Sequence, residues 1–160
     1  MKSVVLFRYL GFSGRYCGET SVSLVVFQVH VRLQLKIDPI AKQFSFSVWK
    51  KQTGMFSGDS KFESFVSPCH GNKYEYFANT GKAHLKLPFS KCFDNLRQTY
   101  GLQNMDIAIK YHQLLDEIDV IVTNIPLIKQ VHGRLKKEGN TSLCPVSKRN
   151  DAKLENAKEL

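Results

Sequence analysis

Between Phe27 and Ile37 every odd-numbered residue is apolar and every even-numbered one is polar. Successive side chains on a strand point to opposite faces, so a strict period of two over this length predicts a half-buried β-strand and excludes a helix. Upstream, Val22, Leu24 and Val26 are apolar in the opposite phase. A strand running continuously through 22–37 therefore needs a one-residue slip near Val25 to Phe27, and a β-bulge supplies it. Asp38-Pro39 closes the run, because proline cannot donate to a ladder and aspartate favours turns.

A second alternating segment, Gln43 to Lys50, places Phe44, Phe46 and Val48 on one face. Pairing the two strands antiparallel with apolar opposite apolar requires partner numbers that sum to an odd total. One such register, summing to 81, sets Ile37 against Phe44, Leu35 against Phe46, Leu33 against Val48 and Arg32 against Trp49, and a slip of two residues would set His30 against Trp49 instead. On that outer face a guanidinium could lie over an indole.

Residues 51–72 read as a long connection anchored by Phe56, Phe62, Phe65 and Val66. A second hairpin joins Lys73–Phe77 to Lys82–Leu87 around Asn79-Thr80-Gly81, where glycine supplies a positive φ. After Pro88, Ser90 caps a helix carrying Cys92, Phe93, Leu96 and Tyr100 and stopped by Gly101. Ile107, Tyr111, Leu114, Leu115, Ile118 and Val122 stand at helical spacing, and the spacing predicts a helix over 105–118. A rival reading makes Met105, Ile107, Ile109 and Tyr111 one strand and Asp119 to Ile125 another, since Val120, Ile121 and Val122 are β-branched. Pro126 is expected to open a last helix. The order of elements predicts an α+β fold, an antiparallel meander of about four strands followed by two or three helices packed on one face. The expected organisation is a leader over 1–20, one domain over 21–138 and a polar tail over 139–160.

The length of 160 residues and an apolar content of 42% fit one folded core. The net charge of +9 is concentrated at the two ends, with five basic residues against one acidic in 1–37 and eight against four in 121–160. Such a balance favours acidic partners without choosing among nucleic acid, an anionic membrane surface or an acidic protein. Cys17, Cys69, Cys92 and Cys144 show no paired spacing of the kind that zinc sites use. Dispersed cysteines read as buried small hydrophobes in a reducing compartment, or as two disulfides if the chain is secreted. Arg8 interrupts the apolar run Val4 to Phe7, which is too short for a signal peptide core, so the expected compartment is cytoplasm or nucleus.

No constellation calls for catalysis. Asp116, Glu117 and Asp119 cluster on the expected helix beside Lys110 and read as a solvated face. His30, His70, His84, His112 and His132 are scattered, Cys69-His70-Gly71 being the one loop with nucleophile chemistry, and no metal or cofactor is expected. The surface signal is a cationic face made of His30, Arg32, Lys36, Trp49, Lys50, Lys82, His84 and Lys86, able to hold phosphates by charge and stack a base on the ring. The expected function is a non-enzymatic binding or scaffolding module recruiting a protein partner through a sheet edge or the helical face. The alternative is nucleic-acid or anionic-lipid binding on the basic face.

Overall fold

The computed structural model describes residues 12–23, 25–54, 61–77, 79–85, 90–126 and 128–144. Strands β1 (Gly14–Ser23), β2 (Phe27–Asp38), β3 (Gln43–Gly54), β4 (Glu63–Phe77) and β5 (Lys82–Leu85) are followed by helix α1 (Lys91–Thr99). Strands β6 (Asp106–His112), β7 (Glu117–Ile125) and β8 (Ile128–Lys137) complete the set. Each strand pairs antiparallel with its neighbours in chain order, and β8 returns to β1, giving a closed eight-stranded barrel.

This overturns the expected α+β layering. The β2–β3 register is the one that sums to 81, with Ile37 opposite Phe44 and Arg32 opposite Trp49. The hairpin around Gly81 also forms, with Glu75 opposite His84 and Gly81 at φ +68°. The phase change near Val25, however, is resolved by a turn: β1 ends at Ser23, β2 begins at Phe27, and Val22 faces Val29 across the resulting hairpin. A turn resets strand phase as a bulge would, and it adds a strand.

The helices expected over 105–118 and after Pro126 are strands. Ile107, Ile109 and Tyr111 alternate on β6 and face Val122, Val120 and Ile118 of β7, so the rival strand reading holds. Leu114 and Leu115, which completed the helical spacing, lie fully and largely exposed in the turn between the two strands. Among the described residues only α1 is a helix of the expected kind. The Ser90 hydroxyl accepts from Phe93 N–H at 3.3 Å, Asp94 sits in the first turn, and Tyr100 takes the C-cap.

Closure rests on a short seam. Strand β1 meets β8 through Tyr16 opposite Lys137 and Cys17 opposite Lys136. A Cβ at Gly18 would collide with the Arg134 carbonyl oxygen and the Leu135 side chain, so glycine permits this approach. Beyond β8 the chain turns back: Glu138 N–H donates to the Arg15 carbonyl at 2.8 Å, Arg15 pairs with Glu138, and Cys144 is disulfide-bonded to Cys17. A second disulfide joins Cys69 of β4 to Cys92 of α1. The cysteines expected as free buried hydrophobes are thus cross-links, and Cys69 is not an available nucleophile.

Candidate functional site

The barrel interior has two unlike ends. At the end where β2 runs into β3, Phe12, Tyr16, Ile37, Tyr74 and Tyr111 are buried, and Phe12 stacks on Tyr76 with centroids 4.8 Å apart and meets Tyr74 edge-on. This aromatic plug closes the floor. Its polar tips converge on Asp116, held at φ +50° in the β6–β7 turn. The Tyr16 and Tyr111 hydroxyls donate to Asp116 Oδ1 at 2.6 and 2.8 Å, and Lys137 Nζ lies 3.2 Å from Oδ2. Burial opposes ionisation of Asp116, but these three donors outweigh it and hold the carboxyl below its ordinary value. Burial, reinforced by the Asp116 carboxylate, pushes the Tyr16 and Tyr111 hydroxyls well up. Tyr74 is pushed up to about 12 by burial and by the negative charge of Asp38.

Above the plug the side chains shrink and a cavity of about 340 Å³ opens. Leu35, Phe44, Ile109, Val120 and Leu135 form its floor, and Val31, Leu33, Val48, Val122 and Val131 its middle. Val22, Ile125 and Ile128 stand at the rim. Most inward positions of adjoining strands are apolar because each strand alternates, with Thr20 and the edge of Glu19 on β1 the polar exceptions in the lining, and Gly18 and Gly133 leave room where β1 and β8 cross. Outward positions are polar: Gln28, His30, Arg32, Gln34 and Lys36 on β2, and Gln130, His132, Arg134 and Lys136 on β8. Apolar inside and polar outside is the reverse of a barrel that faces lipid.

Helix α1 lies over one side of the cavity, contributing Phe93 and Leu96 to its wall, with Leu102 and Met105 following. Phe93 is buried and meets Phe46 edge-on at 6.0 Å. The helix is held by a compact polar cluster. Strand β4 is irregular opposite β3, with register shifts between Phe44 and Trp49, and it accommodates Pro68 there. The buried Asn72 amide donates to the carbonyls of Phe44 and Cys69 at 3.2 and 2.9 Å, and its oxygen accepts from the Ser90 hydroxyl at 2.6 Å. Ser90 is the cap of α1, so one asparagine links the irregular strand, the helix start and the neighbourhood of the Cys69–Cys92 bond.

The cationic face is dispersed. His30, Arg32, Lys36 and Trp49 do project outward on β2 and β3, but Lys50 follows Trp49 and takes the inward phase, opposite Val31. Strand β5, with Lys82 and His84, is separated from β3 by β4. Lys86 lies outside the described residues. Nor is Arg32 over Trp49: its guanidinium sits 3.9 Å from the centroid of Phe62 and its Nε is 3.0 Å from Glu19 Oε2. His30 Nε2 lies 3.3 Å from Thr53 Oγ1.

Glu117 and Asp119 are not a helix face. Asp119, on the outer side of β7, is buried beneath Arg134 of β8, whose Nε donates to Oδ1 at 2.9 Å, and it also meets His112 and His132 Nε2. The Arg134 hydrogen bonds, against the opposing effect of burial and with help from the two histidines, hold the Asp119 carboxyl well below its ordinary value. Arg134 also approaches Glu117 at 3.6 Å. Among the described residues no helix is long and apolar enough to cross a membrane, and no cluster of histidine, cysteine and carboxylate side chains has the geometry to hold a metal ion.

Sequence reasoning named Phe93 and Leu96 only as a helix face and missed the cavity. The missed signal is the recurrence of short alternating runs, Val29 to Leu35, Phe44 to Val48, Ile107 to Tyr111 and Val120 to Val122, at spacings that suit a barrel. No protein-family model, curated protein or solved structure matches the chain.

Proposed function

We propose that the protein binds one apolar small molecule inside the barrel and carries or sequesters it without chemical transformation. The observation that carries this reading is the contrast between the two ends. An eight-stranded barrel is just wide enough to be filled by its own side chains or to hold one small ligand. Here aromatic residues fill one end, while valines and glycines leave about 340 Å³ of apolar space at the other. That volume lies in the range of small-molecule sites, of about 300–1,000 Å³. Two disulfides support an oxidising compartment in place of the cytoplasm or nucleus. Titration with a fluorescent apolar probe tests the reading: saturable binding of one probe per chain, displaced by dodecanol, is expected, and unsaturable or absent binding contradicts it.

Recruitment of a protein partner is a second reading, favoured by the exposed aliphatic side chains Ile40, Leu114 and Leu115 in turns at the plugged end. Strand addition to β2 does not support it, because that strand is bonded along its length to both β1 and β3. Replacing all three residues by serine abolishes capture of such a partner and leaves probe binding intact.

A further inference from the structure

We infer that the ligand is a single-chain carboxylate whose hydrocarbon tail fills the cavity and whose head meets Lys50 at the mouth. This deepens the proposal of an apolar ligand and rests on it. A cavity of about 340 Å³ stands at the small end of ligand sites, which suits a single chain of medium length and not a bulky polycyclic ligand. No polar side chain is needed deeper in: the floor is Leu35, Phe44, Ile109, Val120 and Leu135, so a buried carboxylate there would be unsolvated and costly. The head must therefore remain at the open end.

Lys50 is placed to receive it. It follows Phe46 and Val48, both cavity-lining, at the next inward position of β3, and it is exposed. Its ammonium lies 4.8 Å from the ring centroid of Phe65, itself part of the cavity wall. Phe65 in turn packs on Tyr100 at the end of α1, with centroids 4.8 Å apart, so the ammonium sits where wall and helix meet the solvent. Glu63 is opposite Lys50 on β4, and Glu19 is paired with Arg32.

Competition of dodecanoate and dodecanol for the fluorescent probe, on wild type, Lys50→Gln and Lys51→Gln, tests the assignment. Lys51 lies in the outward phase beside Phe62 and serves as the charge control. Dodecanoate is expected to bind wild type about tenfold more tightly than dodecanol and to lose about that factor in Lys50→Gln alone, as a charge-assisted contact predicts. Dodecanol should bind all three proteins equally. Equal binding of acid and alcohol to wild type, or equal losses in both variants, overturns the role of Lys50 while leaving the cavity in place. Failure of both ligands overturns the cavity reading itself. Matching thermal midpoints of the three proteins, expected for an exposed Lys50 and a half-buried Lys51 on the barrel surface, make the comparison one of binding.

Discussion

Asn72 ties the irregular strand β4 to β3 and to the start of α1. It satisfies two carbonyls loosened by the irregular pairing of β4 and accepts from the hydroxyl that caps α1. Asn72→Ala should cost about 3 kcal/mol, since it leaves buried polar groups unpaired, with the loss read from urea unfolding. At the plugged end, Tyr16, Tyr74 and Tyr111 hold their protons more tightly folded than unfolded. Their contribution is complete below about pH 10, the ordinary tyrosine value, and is lost as pH rises above it because the unfolded chain ionises first. Urea midpoints should therefore fall on the alkaline side, and less steeply in Tyr16→Phe. Asp119 has the opposite sign. Its lowered pKa gives stability that is complete above about pH 4 and shrinks as pH falls towards the folded-state value. In Asp119→Asn the acid fall should be shallower, and an unchanged profile would dismiss the Arg134 and histidine contacts as stabilising.

At the scale of elements, α1 forms one wall of the cavity. It is joined to β4 by Cys69–Cys92 and to the β4 irregularity through Ser90. The paired variant Cys69→Ser/Cys92→Ser should unfold at lower denaturant, by about 3 kcal/mol in the chain-entropy account of a loop this size. It should also exchange bound probe faster, because Phe93 and Leu96 are then free to leave the wall. Stopped-flow dissociation measures that directly, and an unchanged rate would mean that ligands pass elsewhere along the rim. Legibility in the sequence followed element type. The β2–β3 hairpin was legible because apolar and polar residues alternate strictly over 27–37 and 43–48, which limited its register to sums of one parity; the end of β3 at 51–54, where the inward residues turn polar, was not. Helix α1 was readable from Ser90 and its apolar face. The stretch 105–122 was not, because Ile107, Tyr111, Leu114, Leu115 and Ile118 fit a helical period while Ile107, Ile109 and Tyr111 fit a strand period. What settled it was the pairing of β6 with β5 and β7, a non-local fact. Lys50 differs: its inward phase was legible from local alternation next to Trp49, and assigning it to the outer face ignored that period.

For the whole molecule, closure and emptiness are linked. The barrel shuts through a seam where Gly18 lets β8 approach, reinforced by Cys17–Cys144, which closes a loop with a sequence separation of 127. In the chain-entropy account that bond contributes about 5 kcal/mol. Its loss in Cys17→Ser/Cys144→Ser should lower the thermal midpoint more than loss of Cys69–Cys92. Cross-links and an aromatic plug stabilise a shell whose upper interior lacks close packing, and a ligand would supply the missing contacts. The most direct test fills that space from within the chain. Val131 lines the cavity opposite Val122, and Val131→Phe adds a ring where the ligand is placed. The account predicts that this variant keeps or raises the thermal midpoint of the ligand-free protein while binding dodecanol at least about tenfold more weakly than wild type. A variant that binds as wild type does would place the ligand elsewhere and contradict the account.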